Sequence, residues 1–570
     1  MSRPAHEPAP TPVAATLPEL LSWAARHRGD APCLLRPADG EWHGYSYREV
    51  AQAAWSFAAL LQSLGVAPGA RVALHSENRP EWGIAYFAIA AAGAVAVPLD
   101  AQLGAREVGE ILATAEASHV IASARLQRVS EQARDARRPQ LAIVSLDGEG
   151  PGTFAEARRR FAGAPQPPVR AVAGDLAVLI FTSGTTGQAK GVMLSHANLL
   201  SNVESAVRTI PIHAHDRMLS VLPLHHTFEC TVGMLCPIRV GASVAYARSL
   251  KSNELREDVR SSRATIVLGV PLLYEKLVAA IERGIEAAPP ARRRLARALL
   301  ALSRLARQTL RVRPGRPLLT GVRRQTGMGR VRLFVSGAAA LRADVFWGLV
   351  DLGWTVLEGY GLTECSPIVA ASRPENSVPG AVGWPLAGVQ LRIENPDADG
   401  NGEIVVRGPN VMLGYWRQPE ATAQALQGGE FHTGDLGRLL PDGRLVITGR
   451  IKNMIATEAG KKIYPEEVEA ALASALVAEA LVVGGRDRDG REEVHAHLVP
   501  DLPALEALAR ETGVGFDDAF VETTLRALVE RAGEGLAPYK RVKRVFIRRE
   551  EFARTTTGKL RRPASGERPA

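Results

Sequence analysis

At 570 residues the chain is too long for one ordinary domain. Its 46% apolar and 23% charged residues are those of a folded globular protein and exclude the disordered and fibrous classes. The net charge of +9 comes from one segment, because residues 291–343 hold 14 Arg and no Lys, Asp or Glu, which leaves the remainder net acidic. Four scattered cysteines, Cys33, Cys230, Cys236 and Cys365, form no CxxC pair, so neither a disulfide framework nor a zinc site is expected and a reducing cytoplasm is the natural setting.

In chain order, residues 1–15 are rich in Pro and Ala with no apolar run behind a basic start, and read as a flexible leader rather than a secretory signal. Residues 47–64 have the spacing of an amphipathic helix, 71–74 of a short strand, 81–92 of a buried helix and 94–98 of another strand. The apolar stretch 84–99 is too short to span a bilayer. LAVLIF (176–181) suits a buried parallel strand, and Ser195 is placed to cap a helix starting near His196. Strands follow at 265–268, 332–335 and 355–358, an alternation that predicts an α/β fold with several parallel strands. From about Gly380 the texture turns to short Gly-punctuated strands at 390–393, 402–406, 437–440 and 444–448, the last two joined by Pro-Asp-Gly. After Arg450 come a helix at 465–476, strands at 480–483 and 495–499, a helix at 518–531 and a strand at 545–547. The expected organisation is an N-terminal domain over 16–449, with a β-rich part at about 380–449, and a small α+β C-terminal domain over 450–570.

Between the strand at 176–181 and the helix near His196 lies TSGTTGQAKG (182–191). Its glycines let backbone N–H groups converge on an anion, Thr182, Ser183, Thr185 and Thr186 add hydroxyl donors, and Lys190 adds charge, the chemistry of a polyphosphate cradle. The spacing Gly184-x-x-Gly187-x-x-Lys190 is not that of a Walker A loop.

This loop resembles the phosphate loop of the superfamily of acyl-CoA synthetases, nonribosomal-peptide adenylation domains and firefly luciferase. Five further segments match that superfamily in order: SGAAAL (336–341), EGYGLTE (358–364), GEIVVRGPNVMLGYW (402–416), HTGD (432–435) with Gly449 and Arg450, and TGK (557–559). The resemblance spans roughly 15–565 and implies ATP-dependent adenylation of a carboxylic acid followed by transfer to a thiol. It implies that Thr363 contacts the α-phosphate and Glu364 holds Mg²⁺. Tyr360 would stack on adenine within Glu358-Gly359-Tyr360-Gly361, with Gly337 and Ala338 on the other side. Asp435 would accept the ribose hydroxyls, assisted by Arg450, and Lys559 would bridge the carboxylate and the α-phosphate. The C-terminal domain would turn about Lys452 between half-reactions and present a segment including Gly460, Lys461 and Tyr464 to the pantetheine arm of coenzyme A.

The segments 222–229 (LPLHHTFE), 270–277 and 460–469 resemble long-chain fatty acid:CoA ligases more than acetate, aryl or amino-acid activators, and make His225, His226 and Phe228 candidates for the acyl pocket. Residues 291–311 form a basic amphipathic helix: Arg293, Arg297, Arg304, Arg307 and Arg311 fall within about 80° at ~100° per residue. Leu295, Leu299, Leu302, Leu305 and Leu310 take the opposite side. Either the Leu face packs onto the domain or the helix meets an anionic membrane, which would make the protein peripheral at the inner face of the membrane. An acyl-carrier protein is the rival acceptor to coenzyme A. No nucleic-acid motif accompanies the arginines, so no nucleic acid is expected as partner.

Overall fold

A computed structural model describes residues 8–167, 171–182, 189–310, 312–456, 462–486, 492–553 and 562. The chain divides into two compact units, one of residues 1–391 with 406–431, the other of 392–405 with 432–570.

The first unit is α/β and is built on two mixed sheets. In the nine-stranded sheet, five neighbouring strands run parallel from Ser243–Tyr246 through Arg217–Ser220, Ile266–Gly269 and Leu333–Ser336 to Thr355–Gly361. Ser243–Tyr246, Ile266–Gly269 and Leu333–Ser336 are buried at every position, as expected of parallel strands covered on both faces. Helices close over one face around Tyr274, Phe334, Phe346 and Trp354, with the rings of Tyr274 and Trp354 each meeting that of Phe334 edge to face. The hairpin Pro32–Ala38 with Glu41–Ser46 at one edge of this sheet was not expected from the sequence, since Pro and charged residues break its pattern.

The seven-stranded sheet holds Arg71–His75, Val95–Pro98, His119–Ala122 and Ala142–Ser145 in parallel, then Leu176–Thr182 and Lys190–Ser195. Leu176–Thr182 is parallel to Val95–Pro98 on one side, as expected, but antiparallel to Lys190–Ser195 on the other, with Thr182 opposite Lys190. The phosphate-loop candidate therefore connects a hairpin rather than a strand to a helix. The helix His196–Thr209 starts one element later, and the Ser195 hydroxyl accepts from the N–H of Asn198 at 3.1 Å, the cap expected there. The helix Tyr47–Ser63 carries a reciprocal cap between Ser46 and Glu49. Pro80–Ala91 is buried all round, which is why its sequence shows almost no polar face.

The basic helix spans Pro290–Leu310 and does not pack onto the domain by a single Leu face. Ala296, Leu299 and Leu300 pack inward and Ser303 is buried, whereas Leu295, Leu302, Leu305 and Leu310 are at least half exposed. Arg307 and Arg304 lie against Asp351, a buried carboxylate at the end of helix Ala343–Asp351. A buried carboxylate without a cation would be costly, so part of the Arg side faces the domain. Arg311 lies outside the described residues.

The second unit holds strands of the Gly-punctuated region, Glu430–Leu439 and Leu445–Arg450 among them, the two joined through a turn in which Gly443 has φ +84°. After it come the helices Pro465–Leu472, Leu502–Thr512 and Asp518–Glu534 and a sheet of Val477–Arg486, Glu492–Pro500 and Arg544–Ile547. Residues 392–405 and 432–449 of the β-rich part thus cluster with the C-terminal residues, whereas the sequence reading grouped the whole part with the N-terminal domain.

Candidate active site

In the first unit the site residues gather at the carboxyl ends of two adjacent parallel strands, where open α/β sheets bind ligands. Leu333–Ser336 delivers Gly337 and Ala338; its neighbour Thr355–Gly361 ends in Glu358, Gly359, Tyr360 and Gly361, with Ser336 opposite Glu358. Glu358 Oε1 accepts the N–H of Leu341 at 3.2 Å and so ties the SGAAAL loop to the strand. Burial raises its pKa to about 7. A Cβ on Gly337 would lie 2.8 Å from the ring of Phe228, and one on Gly361 would lie 2.0 Å from the carbonyl oxygen of Pro367, so neither position admits a side chain as built. Ala338, the residue after Gly337, holds φ +73°, a strained backbone of the kind that clusters at functional sites.

Past Gly361 the chain makes the short helical turn Thr363–Cys365. Its position is set from outside. Asn198 donates to the carbonyls of Pro409 and Val411 at 2.8 Å each. Asn410 and Asn202 in turn donate to the carbonyls of Cys365 and Ile368. The N–H of Met412 donates to the carbonyl of Glu364 at 2.8 Å. Three motifs far apart in sequence thereby hold the Thr363–Glu364 turn in place. Cys365 is fully buried, as expected for a small apolar side chain.

Tyr415 was missed as an individual residue, although its motif was read. The strand Gly414–Tyr415 pairs with Lys190–Ser195, setting Tyr415 opposite Val192. Its hydroxyl donates to Glu364 Oε1 at 2.9 Å, and Lys190 Nζ sits 4.8 Å from the centre of its ring. Tyr415 therefore joins the cation flanking the phosphate-loop candidate to the carboxylate expected to hold a metal. Burial first, and Glu364 second, push its pKa far up, so it remains a donor. The carboxylate of Glu364 beside the hydroxyl of Thr363 is an all-oxygen donor set, which suits a hard cation such as Mg²⁺. Ser183, Gly184, Thr185, Thr186 and Gly187 lie outside the described residues.

The candidate acyl pocket begins at Leu224, His225 and Thr227, which line a small apolar cavity with Tyr86, Ile180 and Cys230. Burial drives the pKa of His225 down to about 3, so the ring is neutral and its Nε2, 3.6 Å from Asp100 Oδ2, makes no ion pair. His226 packs beside it with ring centres 4.0 Å apart. Phe228 covers Gly337. The next residue, Glu229, is fully buried at the start of the π-helical segment Glu229–Leu235, and burial raises its pKa to about 8. No sequence signal separated it from a surface Glu.

In the second unit the HTGD motif lies within the strand Glu430–Leu439 and places Asp435 directly opposite Arg450. Arg450 Nε is 2.5 Å from Asp435 Oδ1, and Asp435 is buried. Glu403 accepts the N–H of Gly434 at 2.9 Å and meets His432 at 3.2 Å, while the Thr433 hydroxyl donates to the carbonyl of Ile404, which fixes the strand around Asp435. Lys452 follows in the turn Ile451–Asn453, its pKa lowered by burial and by Arg450. Tyr464 donates to Asp397 at 3.3 Å. Gly460, Lys461 and Lys559 lie outside the described residues. Three residues beyond Lys559, Arg562 meets Glu469 at 2.6 Å and donates to the carbonyl of Val482 at 2.9 Å.

A mixed α/β body with a carboxylate and a lysine at its strand ends, and a second unit carrying a buried Asp–Arg pair, fit an adenylate-forming enzyme. The chain belongs to the AMP-binding enzyme family, whose sequence profile matches residues 21–416. It is 32% identical over 543 residues to the long-chain-fatty-acid–CoA ligase FadD15 of Mycobacterium bovis, covering 89% of this chain and 86% of that one. It is 31% identical over 607 residues to human long-chain-fatty-acid–CoA ligase 1, covering 94% and 82%. Among solved structures it is similar to ATP-bound MatB from Rhodopseudomonas palustris, with a TM-score of 0.76 and 28% identity over 95% of this chain and 97% of that one.

Proposed function

We propose that this protein is an AMP-forming long-chain fatty acid:CoA ligase, which joins a fatty acid to AMP with release of pyrophosphate and then passes the acyl group to coenzyme A. The observation that carries the reading is the Lys190–Tyr415–Glu364 cluster at the ends of the parallel strands. A carboxylate attacking the α-phosphorus of ATP brings two anions together, so the barrier falls mainly through positioning and charge neutralisation. Lys190 and the N–H groups and hydroxyls of Thr182, Ser183, Gly184, Thr185, Thr186 and Gly187 grip the phosphates; Thr363 orients the α-phosphate. Glu364 is the ligand for Mg²⁺, which when bound neutralises phosphate charge. Tyr360, Gly337 and Ala338 bracket adenine. Asp435 accepts the ribose hydroxyls, and Arg450, already against it, holds its carboxylate in place. Lys559 bridges the two reacting anions in the first half-reaction. Residues 450–570 then turn about Lys452, and the segment with Gly460, Lys461 and Tyr464 meets the thiol. His225, His226 and Phe228 border the acyl chain, and a neutral His225 suits an apolar tail.

The long-chain assignment rests on the LPLHHTFE segment and on similarity to ligases of that name across most of the chain. Among the described residues no helix is long and apolar enough to cross a membrane. We place the protein in the cytoplasm, with coenzyme A rather than a carrier protein as acceptor. Acid-dependent exchange of pyrophosphate into ATP, run over acids from acetate to stearate, tests the first step; comparing coenzyme A with an acyl-carrier protein tests the second. Lys559→Ala is expected to lose the exchange while still binding ATP. Exchange unaffected by that change, or confined to short acids, overturns the reading.

A further inference from the structure

One side chain in the first unit bridges its two sheets. Asn78 follows the strand Arg71–His75 of the seven-stranded sheet and meets the chain that leaves Arg217–Ser220 of the nine-stranded sheet. Its Nδ2 donates to the Ser220 hydroxyl at 3.1 Å and to the carbonyl of Leu222 at 2.7 Å, while its Oδ1 accepts the N–H of Leu224 at 3.0 Å. A carbonyl and an N–H two residues apart are thus bound by one amide, which offers both a donor and an acceptor. The chain it grips has little else to fix it, because residues 221–226 lie in neither strand nor helix. Asn78 is itself held from both sides. Arg79 donates to Glu81 at 2.7 Å and to both oxygens of Asp147 at 2.8 and 2.9 Å, and Glu77 accepts the hydroxyl of Ser123 at 2.7 Å.

We propose, resting on the reading of 222–229 as a wall of the acyl pocket, that Asn78 is a positioning residue for that pocket and so for the choice of acid. Leu224, His225 and Thr227 line the apolar cavity together with Tyr86, which comes from the helix Pro80–Ala91 just after Asn78. Without Asn78 the carbonyl of Leu222 and the N–H of Leu224 lose their partner, and Leu224 and His225 are no longer fixed over the cavity. A long tail that runs along this wall loses contacts; a short acid covers little of the wall and loses little. The phosphate side is fixed by other residues. Asn198, Asn202 and Asn410 hold the segments around Thr363 and Glu364, and Tyr415 links Lys190 to Glu364. Asn78 therefore acts on the binding of the acid and not on that of ATP.

Pyrophosphate exchange kinetics and amide hydrogen exchange of the full-length protein test it. Asn78→Ala is expected to raise KM for palmitate at least about tenfold, while KM for ATP and kcat/KM for the shortest acid the wild type activates stay within about twofold. Amide exchange across 221–228 is expected to quicken at least about tenfold, with the helix Pro80–Ala91 unchanged. Asn78→Asp keeps the size and the acceptor for Leu224, so its KM for palmitate is expected between the wild type and Asn78→Ala; it carries the test if Asn78→Ala does not fold. Equal losses for palmitate, the short acid and ATP mark a general structural role and overturn the proposal. So does an unchanged KM for palmitate, and so does unchanged exchange across 221–228. A wild type that activates no long-chain acid refutes the substrate reading alone: amide exchange needs no acid, and the split in KM is then read on the largest acid it activates.

Discussion

Replacing Tyr415 by Phe removes one oxygen and little else. The ring is 7% exposed and stays in place against Lys190, so packing and the cation–π contact are retained. What is lost is the 2.9 Å hydrogen bond to Glu364 Oε1. A hydrogen bond to a charged group contributes about 1.5–3 kcal/mol. If Glu364 positions the metal and phosphates, that energy appears in transition-state stabilisation, and at about 1.4 kcal/mol per decade it amounts to roughly a 10- to 150-fold fall in kcat/KM for ATP. Pyrophosphate exchange measured across Mg²⁺ and ATP concentrations reads this directly, with an unchanged melting temperature excluding a folding defect. Tyr415→Ala removes the ring as well and is expected to cost Lys190 its partner, lowering the rate further. The reasoning is refuted if Tyr415→Phe stays within about twofold of the wild type while Tyr415→Ala collapses. The ring alone would then matter, and the link to Glu364 would be incidental.

Glu229 makes a prediction about pH. Burial raises its pKa from an ordinary 4.5 to about 8, so the folded state keeps a proton that the unfolded chain releases. Its contribution to stability is therefore complete below pH 4.5 and declines up to pH 8, by about 1.4 kcal/mol per pH unit. Between pH 5.5 and 8, urea unfolding should show the wild type losing on the order of 3 kcal/mol more than Glu229→Gln; parallel curves would contradict the buried neutral carboxyl. Gly337→Ala places a methyl 2.8 Å from Phe228 and is expected to cost about 1–3 kcal/mol, with Phe228→Leu in the same chain restoring most of it; thermal unfolding of the single and double variants decides. Lys559→Ala should separate catalysis from nucleotide binding, as set out above.

Much of this site was legible because its chemistry is carried in short unbroken strings. TSGTTGQAKG, EGYGLTE and HTGD each announce phosphate, metal or ribose contacts from residue type and spacing. The strand alternation was readable too, since fully buried parallel strands appear as apolar runs. Three things were not. Periodicity cannot tell that the loop beginning at Thr182 returns antiparallel along Lys190–Ser195, because a four-residue apolar string suits either direction. The string HTGD does not by itself show that Asp435 lies within a strand, directly across from Arg450 fifteen residues on. Tyr415 sat inside a motif already noted, but its meaning depends on Lys190 and Glu364, each far away along the chain.

The sequence by itself determined the family, the α/β character and most of the residues that belong to the site, because these depend on local strings whose chemistry does not need a partner to be recognised. Only the tertiary structure decided which of those residues act together and which way each element faces. Asn198, Asn202 and Asn410 became clamps on the Thr363–Glu364 turn once three segments met. The basic helix is the clearest case. Its own residues define two faces and do not choose between them; the choice falls to Asp351, a buried acid on another helix that must be matched by arginine, and meeting it turns three leucines to the outside.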